Sequence, residues 1–256
     1  MSPRDTTKPD DDGFFVGYIN SAPGSLRWFL PMVSVFLIGL FAGAGLLIGT
    51  GQNAQGAGQF LWGAGQQKLT GVIQAMPYPV LHARPTERFP EGRSIMLTGQ
   101  GKRGVQRQAE ALNGQVVDAS GILLKRGDLD MLQVGKLTAA EADNVPSPVT
   151  REDLGRWRMT GEICDGKCVA GAMRPGRGLS HKACANLCLI GGAPPVFVAT
   201  GMVEGQDFFL MGDTSGAPLT GRILDLVAQP VEIVGRIERR GDLLVVLINP
   251  ARVKPL

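Results

Sequence analysis

Cysteine is missing from most of this chain. All four residues lie between Cys164 and Cys188, a stretch of 25 in a chain of 256. A disulfide framework spread over the protein is therefore excluded, and whatever the thiols do they do in one place. Histidine is equally scarce: His82 and His181 are the only two. Aromatic residues make up 6% and the net charge is +3, too little of either for a stacking platform or a phosphate-neutralising groove. Nucleic acid is accordingly set aside as a partner. No G-x-S-x-G and no Walker A run is present, and no Rossmann fingerprint is recognised. No catalytic constellation is found, so the chain reads as an accessory rather than an enzyme. Neither C-x-x-C nor C-x-x-C-H occurs, which argues against thiol–disulfide exchange and covalent haem.

Charge is also missing from residues 28–49, W-F-L-P-M-V-S-V-F-L-I-G-L-F-A-G-A-G-L-L-I-G. As a helix this run spans roughly 33 Å at about 1.5 Å per residue, enough for a bilayer core. It is longer and starts later than the apolar part of a signal peptide, so it is read as an uncleaved anchor in the lipid bilayer. Arg4, Lys8 and Arg27 precede it, and the next basic residue after it is Lys68. The positive-inside rule then expects a bacterial inner-membrane protein with a cytoplasmic N-terminus and periplasmic C-terminal domains. Gly39 and Gly43, and Gly45 and Gly49, form small-xxx-small faces that suit close packing on an integral-membrane partner.

Around the anchor the expected organisation is a tail at 1–27, with the polar segment 1–13 disordered, and a Gly/Gln/Ala-rich linker at 50–66. Two domains follow, at 67–135 and 154–256, joined by a linker at 136–153 that Pro146 and Pro148 stiffen. The two domains are related. A-S-G-I-L-L-K-R-G-D-L (119–129) and I-V-G-R-I-E-R-R-G-D-L (233–243) share G-x4-R-G-D-L at an offset of 114. K-L-T-G-V-I (68–73) and R-M-T-G-E-I (158–163) match at an offset of 90, so the second copy has gained 24 residues. Those residues hold the cysteines, in an insertion at 164–190. The repeated R-G-D is read as a hairpin tip, since Gly-Asp between strands is a turn signal. Short strands and one helix in about 70 residues suggest a small barrel of OB type. The expected fold class is therefore mainly β: one transmembrane helix, then two tandem small OB-like barrels, the second with a Cys/His-bearing insertion.

Within the insertion, Cys164 and Cys168 are four apart, and His181, Cys184 and Cys188 follow at i, i+3 and i+7. On a helix those last three share a face. Ser180 is the expected N-cap and Gly191-Gly192 the expected stop. Leu187, Leu189 and Ile190 are expected to pack back on the barrel. Thiolate and imidazole together suit a tetrahedral ion, so Cys164, Cys168, His181, Cys184 and Cys188 are the candidate ligands. Zinc, copper and an iron–sulfur cluster all fit that donor set. Four cysteines in an oxidising compartment fit two disulfides as well. Glu162 and Asp165 flank the set as acceptors for His181. His82 stands alone and is expected to be solvated or to cap.

The run G-E-I-C-D-G-K-C, then H-K-A-C-A-N-L-C, then a Gly-Pro turn and a strand resembles a group of uncharacterised bacterial exported or membrane-anchored proteins. The likeness covers residues 158–250. Cys168, His181, Cys184 and Cys188 hold the recurring positions, and Cys164 is an addition. The resemblance implies an OB-like domain with a Cys/His site outside the cytoplasm. The function expected on all of this is an accessory or electron-transfer subunit of a membrane oxidoreductase complex. The alternative is a structural envelope protein whose OB-like domains bind partners and whose cysteines form disulfides.

Overall fold

A computed structural model describes residues 24–51, 56–140, 149–219 and 221–256. The expected disordered segment at 1–13 lies outside these, as do Pro146 and Pro148. The chain divides into two compact units, residues 1–54 and 55–256.

Among its described residues the first unit holds a short 3-10 turn, Gly24–Leu26, and one α-helix, α1 (Phe29–Gly51). Pro31 falls in its first turn, where a missing N–H costs nothing. The span Phe29–Gly49 carries no charge and is apolar but for Ser34, and its hydrophobic window is not buried. A helix that leaves Phe36, Phe41, Leu47 and Ile48 at least 63% exposed is no core helix. Its surface suits hydrocarbon rather than water, which is consistent with a membrane anchor.

The second unit is built from strands. Its first sheet holds β1 (Gln59–Phe60), β2 (Gln67–Gln74), β3 (Val80–Ala83), β4 (Arg93–Thr98), β5 (Val116–Arg126) and β6 (Leu129–Ala139), with a short helix, α2 (Gln106–Ala111), before β5. The second holds β7 (Arg151–Asp165), β8 (Pro195–Val203), β9 (Gln206–Asp213), β10 (Pro230–Arg240), β11 (Leu243–Ile248) and β12 (Lys254–Pro255). The helix α3 (Lys182–Ile190) lies between β7 and β8. Alternation makes the strands: in β5, Val117, Ala119 and Gly121 turn inward while Asp118 and Ser120 are half-exposed.

The repeat is visible in the pairing order. The first half runs β2, β3, β4, β6, β5 and returns to β2. The second half has β7, β8, β9, β11 and β10 adjoining in the same order, and β9–β11 is parallel as β4–β6 is. Five residues join β2 to β3 and twenty-nine join β7 to β8, a difference of 24, as the offset jump requires. Both R-G-D sequences are hairpin tips, with Arg126 opposite Leu129 and Arg240 opposite Leu243. Gly127 and Gly241 take the first loop position at φ of 56° and 63°, where a Cβ would be strained.

The fold class expected from that repeat is nevertheless overturned. One closed five-strand barrel forms, in the first sheet, around Leu81, Ile95, Leu97, Leu123 and Leu132. The second sheet is not a second tandem OB-like barrel. Its β8–β9 ladder breaks between Val198 and Val203, and its β7–β10 ladder between Arg236 and Glu238. Its central strands are buried on both faces. Phe197, Phe209 and Val246 fill one core, while Val196, Val198, Phe208, Leu210 and Val245 join Val80, Met96, Leu124 and Met131 of the first half in another. A tandem domain needs a solvated outer face, and this one is core.

Polar ties cross the same junction. Arg93 on β4 pairs at 2.7 Å with Asp130 and at 2.7 Å with Asp242, and also donates to the Asp128 carbonyl oxygen. Asp242, from the second R-G-D, accepts in addition from the Ser94 backbone N–H at 2.7 Å. The expected linkers are shorter than expected. Phe60 pairs with Leu124 and stacks on Trp62 at 4.3 Å, and β6 continues to Ala139.

Candidate metal centre

Strand β7 delivers the chain to the site. Its last residue, Asp165, is fully buried. One carboxylate oxygen accepts from the Cys168 backbone N–H at 2.9 Å, which turns the chain into a π-helical turn, Cys168–Ala172. The other lies 3.1 Å from His181 Nε2. His181 precedes α3 directly, and Cys184 and Cys188 follow one turn apart on it. The sulfurs of Cys168, Cys184 and Cys188 all lie within 4.8 Å of one another. An Asp165 oxygen, the Cys168 sulfur and a His181 ring nitrogen form a second group within the same limit. Cys168 belongs to both and links them; His181 and Asp165 lie within that limit of Cys168 but not of all three sulfurs.

The separations decide what can sit there. Cys168 Sγ and Cys188 Sγ are 4.0 Å apart. Two thiolates on one tetrahedral zinc ion, with bonds of about 2.3 Å, stand roughly 3.8 Å apart. A disulfide needs about 2.05 Å. All four cysteines are free thiols here.

The first half closes the site. Lys102 Nζ lies 2.7 Å from Cys184 Sγ and 3.9 Å from Cys188 Sγ. Lys167 Nζ is held by the carbonyl oxygens of Gly99 and Gly101 at 2.7 and 2.6 Å. Gly104 N–H donates to Gly191 O at 2.8 Å. That approach requires glycine: a Cβ on Gly191 would collide with the Lys102 carbonyl, and one on Gly104 with the Gly192 carbonyl. Sequence reading did not single out this loop, G-Q-G-K-R-G (99–104). Its glycines have G-x-G-x-x-G spacing behind a strand, a signal that was there to find. Its carbonyls receive an ammonium group, where a dinucleotide loop would offer N–H groups to phosphate.

Electrostatics follow from burial and contact. The Cys188 thiol bond from Cys168 lowers the Cys188 pKa and raises that of Cys168. Cys188 therefore gives up its proton first, with the pair sharing the other. The Cys184 contact raises the Lys102 pKa, keeping it cationic beside the sulfurs.

Cys164 is not brought to this group. Its sulfur turns into the shared core and donates to Glu162 at 3.1 Å, and burial pushes its thiol well above the usual range. Glu162 serves the loop instead of His181, accepting from Gly178 N–H at 2.5 Å and facing Arg177 at 3.8 Å. Of the two carboxylates, only Asp165 meets His181. Ser180 does not cap α3; it sits in the short turn Leu179–His181, and no side chain caps the helix. Gly191 ends the helix as expected. Leu189 packs on the core around Phe197, Phe209 and Val246, but Leu187 and Ile190 remain 55% and 68% exposed. Nine residues expose only one narrow side of α3 to that core, and the sulfurs occupy the adjoining side.

His82 is neither solvated nor a cap. It lies part-buried on β3, with Nδ1 2.9 Å from Ser94 Oγ and Nε2 3.4 Å from Gln74 Oε1. Burial, outweighing the Asp242 charge, lowers its pKa to about 4. The unfolded chain then takes up a proton near pH 6.5 that the folded chain refuses until pH 4. Stability should fall as pH drops through that window, by about 2 kcal/mol between pH 7.5 and 5. Urea unfolding of the wild type and His82→Gln at both pH values checks this; an equal pH slope in the two proteins would count against it.

No family model, no curated protein and no solved structure matches this chain. The site's own chemistry therefore carries the functional reading.

Proposed function

We propose that this chain is a membrane-anchored accessory or electron-transfer subunit of a membrane oxidoreductase complex, and that its β unit holds one thiolate-bound metal ion outside the cytoplasm. The observation that carries this reading is the convergence of Cys168, Cys184 and Cys188 within 4.8 Å. We take His181 as the fourth donor because it lies within 4.8 Å of Cys168, and Asp165 holds its ring at 3.1 Å, as carboxylates do behind metal-bound imidazoles. Three thiolates around a divalent ion leave one negative charge, and Lys102 stands where it balances that charge. Sulfurs this close suit one ion rather than a cluster, whose ligands bind different irons. Zinc would make the site structural; copper, which soft thiolates favour as Cu(I), would make it a carrier of electrons. α1 anchors the chain with its N-terminus in the cytoplasm, and Gly39, Gly43, Gly45 and Gly49 pack on a helix of the partner subunit.

The rival is a structural envelope protein with two disulfides. The 4.0 Å approach of Cys168 to Cys188 favours one bond. A second would have to join Cys164, held against Glu162, to Cys184, held against Lys102. The test is metal analysis and thiol titration of the purified full chain. One equivalent of metal, largely lost in His181→Ala, is expected. No metal and no free thiol in the absence of reductant would hand the site to the rival.

A further inference from the structure

A cavity of about 860 Å³ lies along the first half of β7 and the second half of β10, walled by the turn at 214–216. It is lined by five arginines, Arg151, Arg156, Arg236, Arg240 and Arg252, and by two carboxylates, Asp153 and Glu238, a balance of +3. Both carboxylates are engaged. Asp153 takes both arms of Arg236 at 2.8 Å, and Glu238 takes Arg240 at 2.9 and 3.1 Å. Arg151, Arg156 and Arg252 have no ion pair among the described residues. The strand register makes the crowding worse. Arg236 stands directly opposite Arg156, and Arg240 directly opposite Arg151. Like charges in facing positions destabilise a sheet. Two such pairs beside an open cavity are accounted for if an anion sits among them.

We propose that this cavity is a binding site for an organic phosphate: a phosphate ester whose oxyanion is held by Arg156 and Arg252 and whose apolar body lies on Met76, Val234 and Leu247. The volume is that of a small-molecule site. Guanidinium groups take phosphate oxygens two at a time, and a phosphate carrying between one and two negative charges matches cations left over after the carboxylates are satisfied. The site is separate from the cysteines. Arg156 and Asp165 are nine residues apart on one strand, roughly 30 Å at about 3.3 Å per residue. The phosphate can belong to the head group of an anionic phospholipid or to a soluble ester.

Calorimetric titration of the full chain in neutral detergent tests this with two probes, the soluble ester phenyl phosphate and monomeric dihexanoyl phosphatidylglycerol, with the phosphatidylcholine analogue as control. Saturable binding that weakens with salt is expected for at least one probe, with at least a tenfold loss in the Arg156→Ala, Arg252→Ala double variant. Neither arginine holds a carboxylate, so the variant should keep its melting temperature and its metal content. Preference for phosphatidylglycerol over both phenyl phosphate and phosphatidylcholine would identify a lipid head group; preference for phenyl phosphate, a soluble ester. Absence of saturable binding of either anionic probe, or equal affinity in the double variant, would overturn the proposal.

Discussion

If the proposed ion is bound, its chelation is expected to lower the melting temperature of the purified chain by on the order of 10 °C. An ion present at a thousand times its dissociation constant contributes about 4 kcal/mol, and each kcal/mol shifts a unit of this size by about 2–4 °C. The effect should reach the whole β unit, because the site joins its parts: Cys168 follows β7, Cys184 and Cys188 ride on α3, and Lys102 comes from the loop after β4. Cys188→Ser should reproduce the loss without a chelator. Cys164→Ser should keep the metal, since that sulfur lies in the shared core against Glu162. Coordination needs thiolates and a neutral imidazole, so metal affinity should also fall as pH drops. Differential scanning calorimetry of the four samples decides the matter. Identical melting with and without chelator, or a Cys188→Ser variant that retains its metal, would remove the ion from the structure's account.

Leu210→Ala is expected to cost about 2–5 kcal/mol and to destabilise both halves together. Leu210 is fully buried on β9, in the core shared with Val80, Met96, Leu124 and Met131. Its neighbour Phe209 faces the opposite core, beside Ile163 and Val246, and Phe209→Ala should cost about 3–5 kcal/mol. The two variants probe opposite faces of one strand, yet each should show one cooperative transition. The reason is that the boundary between the halves is itself a core, tied by Arg93 and Asp242 at 2.7 Å. Separate transitions, with the first half's unchanged in Phe209→Ala, would mean that the halves fold independently.

Several features were legible because they depend on neighbours along the chain. The uncharged apolar run before residue 50 reads as one helix of bilayer-spanning length, and that helix forms as α1. The repeat marked the short strands, and the repeated Gly-Asp marked the hairpin tips at 127–128 and 241–242. The offset jump of 24 placed the insertion, and the spacing of Cys184 and Cys188 placed them on one side of a short helix.

Other features depended on which faces meet. Alternating strands say that two faces differ, but not that the outer face of the second sheet will be buried against the first half, so the expectation of a second barrel failed. Cys164 and Cys168 looked like a pair by spacing. A strand directs Cys164 into the shared core, and Asp165 turns the chain before Cys168 reaches the site. His82 looked solvated because its partner Ser94 is twelve residues away. The facing arginines of β7 and β10 are 80 and 89 residues apart and become neighbours only through register. Local composition determined the anchor, the strands and where the thiols cluster. Tertiary packing alone decided which thiols converge, that Lys102 joins them, and that two repeats became one body, because burial and charge pairing act between segments that the chain itself keeps far apart.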